Sequence, residues 1–305
     1  MKSEIELQVF FDSILKPEFD SLEQFRIERI KKCKKYFFIG SSCCILFIIS
    51  VFINSFFIIL FLIPTVVCFG LTFQVLFDMA KYLKRQFKCS VLPKLLDFLY
   101  TDYEYIPNQK IAKTVLEKSM LFPHHVTSAE GEDFMRFKLG ESSIMFCETT
   151  VYCIREVIFS GIFISATFNK HFNSKTFVLP AKPSSFFYSI KKQLFSNFSQ
   201  VKLEDVEFDN VFHVLSTDQV EARYILTTSL MKRILDYKNK TKSEVSFSFV
   251  DDRLYCAIPN YSNLFEPAIF ETFDFNFLKR NYNPLKLYTD LVEDLNLNLR
   301  IWTKE

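Results

Sequence analysis

The sequence is poor in glycine. Its 305 residues include 5 Gly, at Gly40, Gly70, Gly131, Gly140 and Gly161. Loops that hold nucleotide phosphates need closely spaced glycines, because their backbone must approach the phosphate oxygens. No such loop occurs here, and no GxSxG or HExxH motif occurs either. The sequence therefore excludes the common nucleotide-binding fingerprints and the usual serine-hydrolase and zinc-protease signatures.

Metal-ligand spacings are also missing. The chain has 4 His and 8 Cys, with no CxxC pair, whereas zinc sites combine such residues at short regular spacings. His124 and His125 are adjacent beside Pro123, which indicates a loop and not converging ligands. We therefore predict no metal and no cofactor. Scattered thiols are typical of a reducing compartment, and they occur at Cys33, Cys43, Cys44, Cys68, Cys89, Cys147, Cys153 and Cys256.

The charge is nearly balanced. Lys and Arg number 37 against 35 Asp and Glu, a formal net charge of +2, and a nucleic-acid footprint would need a basic excess. Predicted helices over 217–224 and 227–237 suggest a helix-turn-helix, but the second lacks the basic, amide-rich face of a recognition helix. No nucleic-acid partner is expected.

One long segment, 36–77, contains no Asp, Glu, Lys, Arg or His. A membrane-spanning helix needs about 20 apolar residues, so the segment predicts two transmembrane helices, at about 36–53 and 56–77. A cleaved signal peptide is disfavoured, because the apolar run begins late and is too long.

Basic residues flank both ends of this segment. They are Lys31, Lys32, Lys34, Lys35, Lys81, Lys84, Arg85 and Lys88. The positive-inside rule places both termini in the cytoplasm, with Asn54 and Ser55 on the far side. The expected location is a bacterial inner membrane. An alternative role for these charges is attraction to anionic headgroups, at about 1 kcal/mol for each Lys or Arg.

Helical apolar stripes lie on each side of the predicted spans. Residues 1–35 predict a cytoplasmic amphipathic segment interrupted at Pro17, and 78–125 predict a helical stalk and connector. A stripe over 76–98 should break or kink at Pro93, and a further helix should run from Pro107 to Met120. The stripes of 1–35 and 76–98 pack either together within one chain or between chains of a homo-oligomer.

Residues 126–305 predict a cytoplasmic α+β domain with a mostly antiparallel sheet and flanking helices. Alternating patterns favour strands at 143–154, 157–168, 176–179 and 212–215, and a hairpin over 245–258. Helices are expected at 184–196, 273–282 and 284–299. Ser216 with Gln219 matches a capping box, and Thr227 or Thr228 should cap the helix that follows.

Three blocks of this domain resemble a known family. They read FSGIFISATFNKHFNSKTFVLP (159–180), VEFDNVFHVLSTDQVEARYILTTSLMKRIL (206–235) and VSFSFVDDRLYCAI (245–258). They are similar to the bacterial domain-of-unknown-function family DUF3137, whose members have two membrane spans near the N-terminus. The resemblance implies no activity. It implies a LemA-type membrane protein as a neighbour, and hence as a partner.

An acidic run offers the best case for acid–base chemistry. Glu204, Asp205, Glu207 and Asp209 precede His213, and paired carboxylates catalyse when their environment separates their pKa values. The run lies in a polar segment where solvated carboxylates are normal. A cryptic hydrolase at 204–213 is therefore kept as an alternative.

The most family-like block supplies the candidate binding surface. It consists of Asp218, Glu221, Arg223 and Tyr224, joined by Asn169 and Lys170 in a loop at a strand end. Asp218 can instead cap a helix, and Arg223 can pair with a carboxylate or a carbonyl to join two elements. We expect a non-catalytic interaction or scaffold domain. A lipid-sensing, pleckstrin-like module is the other alternative.

Overall fold

The computed structural model describes residues 3–53, 58–122, 126–139, 142–167, 171–182, 194, 196–260, 264–291 and 295. The predicted helix over 184–196, the outer turn at Asn54 and Ser55, and the histidine pair fall wholly or mostly outside the described residues. The chain forms two compact units. The first contains Met1–Leu99 and Phe265–Tyr282, and the second contains Tyr100–Leu264 and the chain from Asn283 onward.

Two long helices form most of the first unit. Helix α1 spans Glu4–Phe52 and helix α2 spans Ile58–Leu99. Both are long and apolar enough to cross a membrane, and only 11% and 6% of their most apolar stretches are buried. The core helix of a soluble protein would bury most of such a stretch. These apolar surfaces therefore face outward.

Neither the interruption expected at Pro17 nor the break considered at Pro93 ends its helix. Each helix passes through its proline by way of a wider π-helical turn, at Phe11–Leu15 in α1 and at Phe87–Val91 in α2. A proline in a regular α-helix clashes with the carbonyl four residues earlier. Because each π-helical turn lies directly before the proline, it supplies the extra room and the helix continues.

The apolar stripes of 1–35 and 76–98 pack against each other within one chain, as the intramolecular alternative expects. Phe10 stacks on Phe98 with ring centroids 4.2 Å apart. Phe277, from the C-terminal part of this unit, contacts both helices. Its ring centroid lies 6.0 Å from that of Phe19 in α1 and 5.2 Å from that of Phe87 in α2. The first unit thus has its own aromatic core.

The second unit contains one nine-stranded sheet in the order β1-β2-β3-β4-β9-β8-β5-β7-β6, and every pairing is antiparallel. This confirms the α+β fold class. The strands are β1 Tyr103–Ile106, β2 Ser128–Leu139, β3 Ser142–Cys153, β4 Glu156–Thr167, β5 Thr176–Pro180, β6 Ser199–Val201, β7 Phe212–Ser216, β8 Ser246–Val250 and β9 Arg253–Pro259.

The other helices within the described residues are shorter. They are α3 Lys113–Ser119, α4 Val206–Val211, α5 Gln219–Ile225, α6 Thr228–Thr241 and α7 Phe275–Thr289. Helix α7 continues across Pro284, where two separate helices were expected.

The helix predicted from Pro107 to Met120 also needs correction. Strand β1 ends at Ile106, and the carbonyl of Pro107 accepts a hydrogen bond from the amide of Asp133 at 2.9 Å. This long-range bond holds the chain in a turn, so the helix begins only at Lys113. The predicted connector 78–125 therefore includes an edge strand of the sheet.

Both faces of the sheet are covered. On one face, Leu116 of α3 joins a buried apolar cluster with Phe159, Phe163 and Phe177, and Ser248 donates to the carbonyl of Ser119 at 2.5 Å. Its strand neighbour Phe247 points the opposite way and contacts Tyr237 of α6, with centroids 6.3 Å apart. Successive side chains of β8 therefore point to opposite faces of the sheet and pack in two separate cores.

The close approach of β4 to the end of its neighbour β9 requires glycine at position 161. A Cβ atom there would lie 2.2 Å from the carbonyl oxygen of Ile258 and 2.6 Å from the amide nitrogen of Asn260. Both are backbone atoms, so a side chain could be accommodated only by separating the strands.

We predict that Gly161→Ala lowers the free energy of unfolding by about 3 kcal/mol, because overpacking forces the backbone to move. Chemical denaturation of the full chain in detergent, followed by circular dichroism, measures the change. Gly70→Ala is the control, since nothing lies within 4 Å of a Cβ there. Equal stability of the Gly161→Ala chain and the natural chain would contradict the described close contact between β4 and the end of β9.

Candidate functional site

Three acidic side chains meet at an irregularity between β2 and β3. The strand register shifts between Glu132 and Met135, and Asp133 has a positive φ of 57° there. A bulge of this kind redirects side chains. The carboxylate oxygens of Glu132, Asp133 and Glu148 lie within 4.8 Å of one another. Oxygen ligands of this type suit a hard divalent cation.

Two of these carboxylates accept hydrogen bonds from other parts of the protein. The Tyr105 hydroxyl donates to Asp133 Oδ1 at 2.8 Å, and the Leu264 amide donates to Glu148 Oε2 at 2.8 Å. Asp133 is fully buried. The cluster therefore ties β1 and the chain after β9 to the bulge, whether or not it ever holds a cation.

Sequence reasoning missed this cluster. Glu132 and Glu148 lie directly opposite each other on neighbouring strands. Like charges in that position are unfavourable, so the pair is a usable signal once the register of the hairpin is known. The register depends on the bulge at Asp133, which the alternation of polar and apolar residues does not reveal.

Two buried thiols, those of Cys147 and Cys256, have raised pKa values. Burial raises the pKa of the Cys147 thiol to about 11, and the nearby Asp133 and Glu148 carboxylates act in the same direction. Burial also raises the pKa of Cys256 well above its ordinary value. Because the thiolate is the reactive form, neither side chain is a nucleophile at neutral pH.

The candidate residue Asp218 caps helix α5. Its Oδ1 accepts hydrogen bonds from the amides of Val220 at 2.7 Å and Glu221 at 3.2 Å. The predicted cap at Ser216 is wrong, because Ser216 ends β7 and its hydroxyl donates to the carbonyl of Lys175 at 3.1 Å. The expected cap at Thr227 is confirmed, with its hydroxyl accepting from the amide of Leu230 at 3.3 Å.

Two further candidates attach α5 to the sheet. Glu221 accepts from the amides of Asn173 at 3.1 Å and Ser174 at 2.6 Å, in the segment before β5. Arg223 Nη2 donates to the carbonyl of Lys202, just after β6, at 3.3 Å. Asp218 therefore caps a helix, and Arg223 joins two elements through a backbone carbonyl, as the alternative to a binding role expects.

Helix α5 presents one aliphatic and one aromatic side chain to solvent, beside the exposed Gln219 and Arg223. Val220 is 76% exposed and Tyr224 is 58% exposed, and their spacing of four residues puts them on one face of the helix. We call this pair the α5 face. The other two candidates, Asn169 and Lys170, lie outside the described residues.

The acidic run 204–209 contains the N-cap and the first turn of helix α4. Asp205 caps α4, with its Oδ1 accepting from the amide of Phe208 at 3.0 Å, and Glu204 and Glu207 are exposed. His213 Nδ1 lies 3.3 Å from Gln200 Nε2 on the neighbouring strand β6. The side chain of Asp205 is thus used in a helix cap.

The basic flanks of the apolar segment divide into two groups. Lys84 and Lys88 both pair with Glu266 inside the first unit, the latter at 3.9 Å and almost fully buried. The exposed members are Lys31, Lys32, Lys34, Lys35, Lys81 and Arg85. Only this second group presents its charge to the surroundings of the helices.

Comparison with family models finds a match in the C-terminal half of the chain. A family model described as "Protein of unknown function (DUF3137)" matches residues 157–297, which confirms the resemblance seen in the sequence. The matched range extends from β4 to beyond α7 and includes the α5 face. No protein of curated function matches this sequence.

One solved structure has a weak similarity. It is the crystal structure of the mycobacterial trehalose monomycolate transport factor A, TtfA, which is 8% identical in sequence. The alignment covers 69% of this chain and 94% of that chain, with a TM-score of 0.36. A similarity of this size indicates neither a shared fold nor a shared function.

We predict that Cys147 resists alkylation by iodoacetamide at pH 8. Raising its pKa from 9.0 to about 11 leaves about a hundredfold less thiolate at that pH. Labelling should accelerate as the pH rises towards 11, and mass spectrometry of the tryptic peptides measures each site. The partly exposed Cys153 is the control in the same strand. Equal labelling of both thiols at pH 8 would contradict the described burial.

Proposed function

Because residues 157–297 match a family of proteins of unknown function, we propose a function from the physical chemistry of the described residues. The chain is a bacterial inner-membrane protein anchored by α1 and α2. Its second unit is a cytoplasmic binding domain, without catalytic activity of its own, for a protein partner at the same membrane.

The observation that carries the anchor is the outward apolar surface of the two helices. Phe38, Phe52 and Phe73 are 67%, 86% and 72% exposed, and many Ile, Leu and Val side chains of the same two helices are 37–70% exposed. Removing one large apolar side chain from water is worth about 1.5–3 kcal/mol. Contiguous apolar surfaces of this extent mark membrane or protein contacts, and the length of the helices favours a bilayer.

The partner surface that we propose is the α5 face. Exposed aromatic side chains near an Arg are enriched at protein interfaces, and Tyr224 follows Arg223 directly. Asp218, Glu221 and Arg223 hold α5 in place through the hydrogen bonds described above, so the face is presented by a fixed helix. A preorganised face loses little conformational entropy when a partner binds.

The membrane anchor makes a neighbouring membrane protein the natural partner. Confinement to one surface raises the effective concentration of two proteins, so a modest contact is enough. A LemA-type protein is the first candidate to test, on the strength of the family resemblance alone.

We predict that reporter enzymes fused after residue 55 and at the C-terminus report opposite sides of the inner membrane. The exposed Lys and Arg residues on both flanks favour the cytoplasm for both ends of the helix pair. Paired periplasmic and cytoplasmic reporters measure the two positions in cells. A C-terminus on the periplasmic side would overturn the proposed orientation.

We predict that a photoreactive amino acid at position 224 crosslinks in cells to one discrete membrane protein. The same probe at Lys232, an exposed position on α6, is the matched control. Tyr224→Ala should weaken the purified complex by about tenfold, the usual effect of truncating an interface anchor. Mass spectrometry identifies the adduct. Identical adducts at positions 224 and 232, or none at 224, would rule out the α5 face as the partner surface.

A further inference from the structure

A cavity of about 610 Å³ lies in the second unit, between the end of β5, the start of β7 and the end of α6. Its size is in the range of small-molecule sites, which are commonly about 300–1,000 Å³. Three lysines line it: Lys182 after β5, and Lys238 and Lys242 at the end of α6. We call it the lysine cavity.

Lys182, Lys238 and Lys242 give the lysine cavity a concentration of positive charge. Within the part of the chain that the structure describes, no ion pair joins Lys182, Lys238 or Lys242 to a carboxylate. One carboxylate, that of Glu244, shares the lining with them. Since like charges around one cavity repel each other, the site has an excess of positive charge that an anion would relieve.

The carbonyl of Lys238, in the last turn of α6, is satisfied without these ammonium groups. Lysines in the last turn of a helix often compensate its free carbonyls. Here the carbonyl of Lys238 accepts from the Thr241 hydroxyl at 2.9 Å and from the Lys242 amide at 3.2 Å. The terminal carbonyl at this point is therefore satisfied without any lysine side chain.

The backbone at Lys242 gives a second indication. This residue has a φ of 53°, in the left-handed region where helices usually end in Gly or Asn. A residue with a Cβ is disfavoured there by roughly 1–2 kcal/mol. Placing a lysine at such a position costs stability, and strain of this kind is typical of functional sites.

The chemistry of the lining points to the ligand class. Lysine is a compact point charge that binds phosphate well, and the cavity adds the Asn210 amide and the Ser243 hydroxyl as neutral donors. Several cations and donors around one space suit an anion with more than one charge and several oxygen acceptors. The cavity is larger than a bare phosphate ion, which leaves room for an organic part.

We propose that the lysine cavity binds a phosphate-bearing organic anion, with Lys182, Lys238 and Lys242 neutralising the phosphate. The phosphate belongs either to a lipid headgroup or to a soluble metabolite, and the two sources share this chemistry. The proposal is independent of the α5 face, because it uses a different part of the second unit and needs no protein partner.

Competition with an amine-reactive label tests the proposal on the full chain in neutral detergent. N-Acetoxysuccinimide is applied with and without sodium phosphate, at constant ionic strength set by sodium chloride. At a phosphate concentration of about twice the Kd, labelling of the three lysines should slow about threefold, because only the free fraction reacts. Lys232, exposed on the same helix α6, is the internal control and should keep its rate.

A second arm distinguishes the two sources. The chain is reconstituted in vesicles of phosphatidylcholine alone or of phosphatidylcholine with phosphatidic acid, without soluble phosphate. Protection only in the phosphatidic acid vesicles supports a lipid headgroup, and protection only by soluble phosphate supports a metabolite. Absence of protection in both arms, or equal protection of Lys232, would overturn the proposal.

Variants give an independent measurement. The double variant Lys182→Gln with Lys238→Gln should lose the increase in Tm that sodium phosphate causes in the natural chain, whereas Lys232→Gln should retain it. Glutamine preserves helix propensity, so the folded helix is expected to persist. An undiminished increase in the double variant contradicts the proposal. If that variant does not fold, labelling of the natural chain still decides.

Discussion

Removal of the exposed apolar helix surface from water is the constraint on which the whole chain depends. The side chains concerned lie on both α1 and α2, and fewer than an eighth of the residues in the most apolar stretches are buried by the protein. At about 1.5–3 kcal/mol for each large side chain, leaving them in water would exceed the net stability of a typical domain, about 5–15 kcal/mol. An apolar environment is thus part of the folded state.

In the second unit, hydrogen bonds between polar groups attach the outer elements to the sheet. Tyr105 attaches the edge strand β1 to Asp133, and Arg223 attaches α5 to the chain beside β6. Edge strands with few residues bury little apolar area, so such hydrogen bonds matter more there than in the centre. Side chains that look reactive in the sequence, including Asp205 and Asp218, are used in the same way as helix caps.

Local periodicity was enough to predict much of this fold. The alternation in β3, β4 and the β8–β9 hairpin identified those strands, and the uncharged run identified the two long helices. The misses depend on contacts between distant residues. The bulge at Asp133 and the turn held by Pro107 each reflect the packing of one segment against another. The acidic cluster and the lysine cavity were invisible for the same reason, since their members are separated along the chain.

The aromatic core of the first unit has a consequence for the order in which the protein is made. Phe19 and Phe87 emerge from the ribosome early, but Phe277, which packs against both, follows only after the entire sheet has been synthesised. Domains generally fold from the N-terminus as they appear, yet the first unit stays incomplete until the segment Phe265–Tyr282 has been made. In the nascent chain, Phe19 and Phe87 therefore lack this packing until Phe277 has been synthesised.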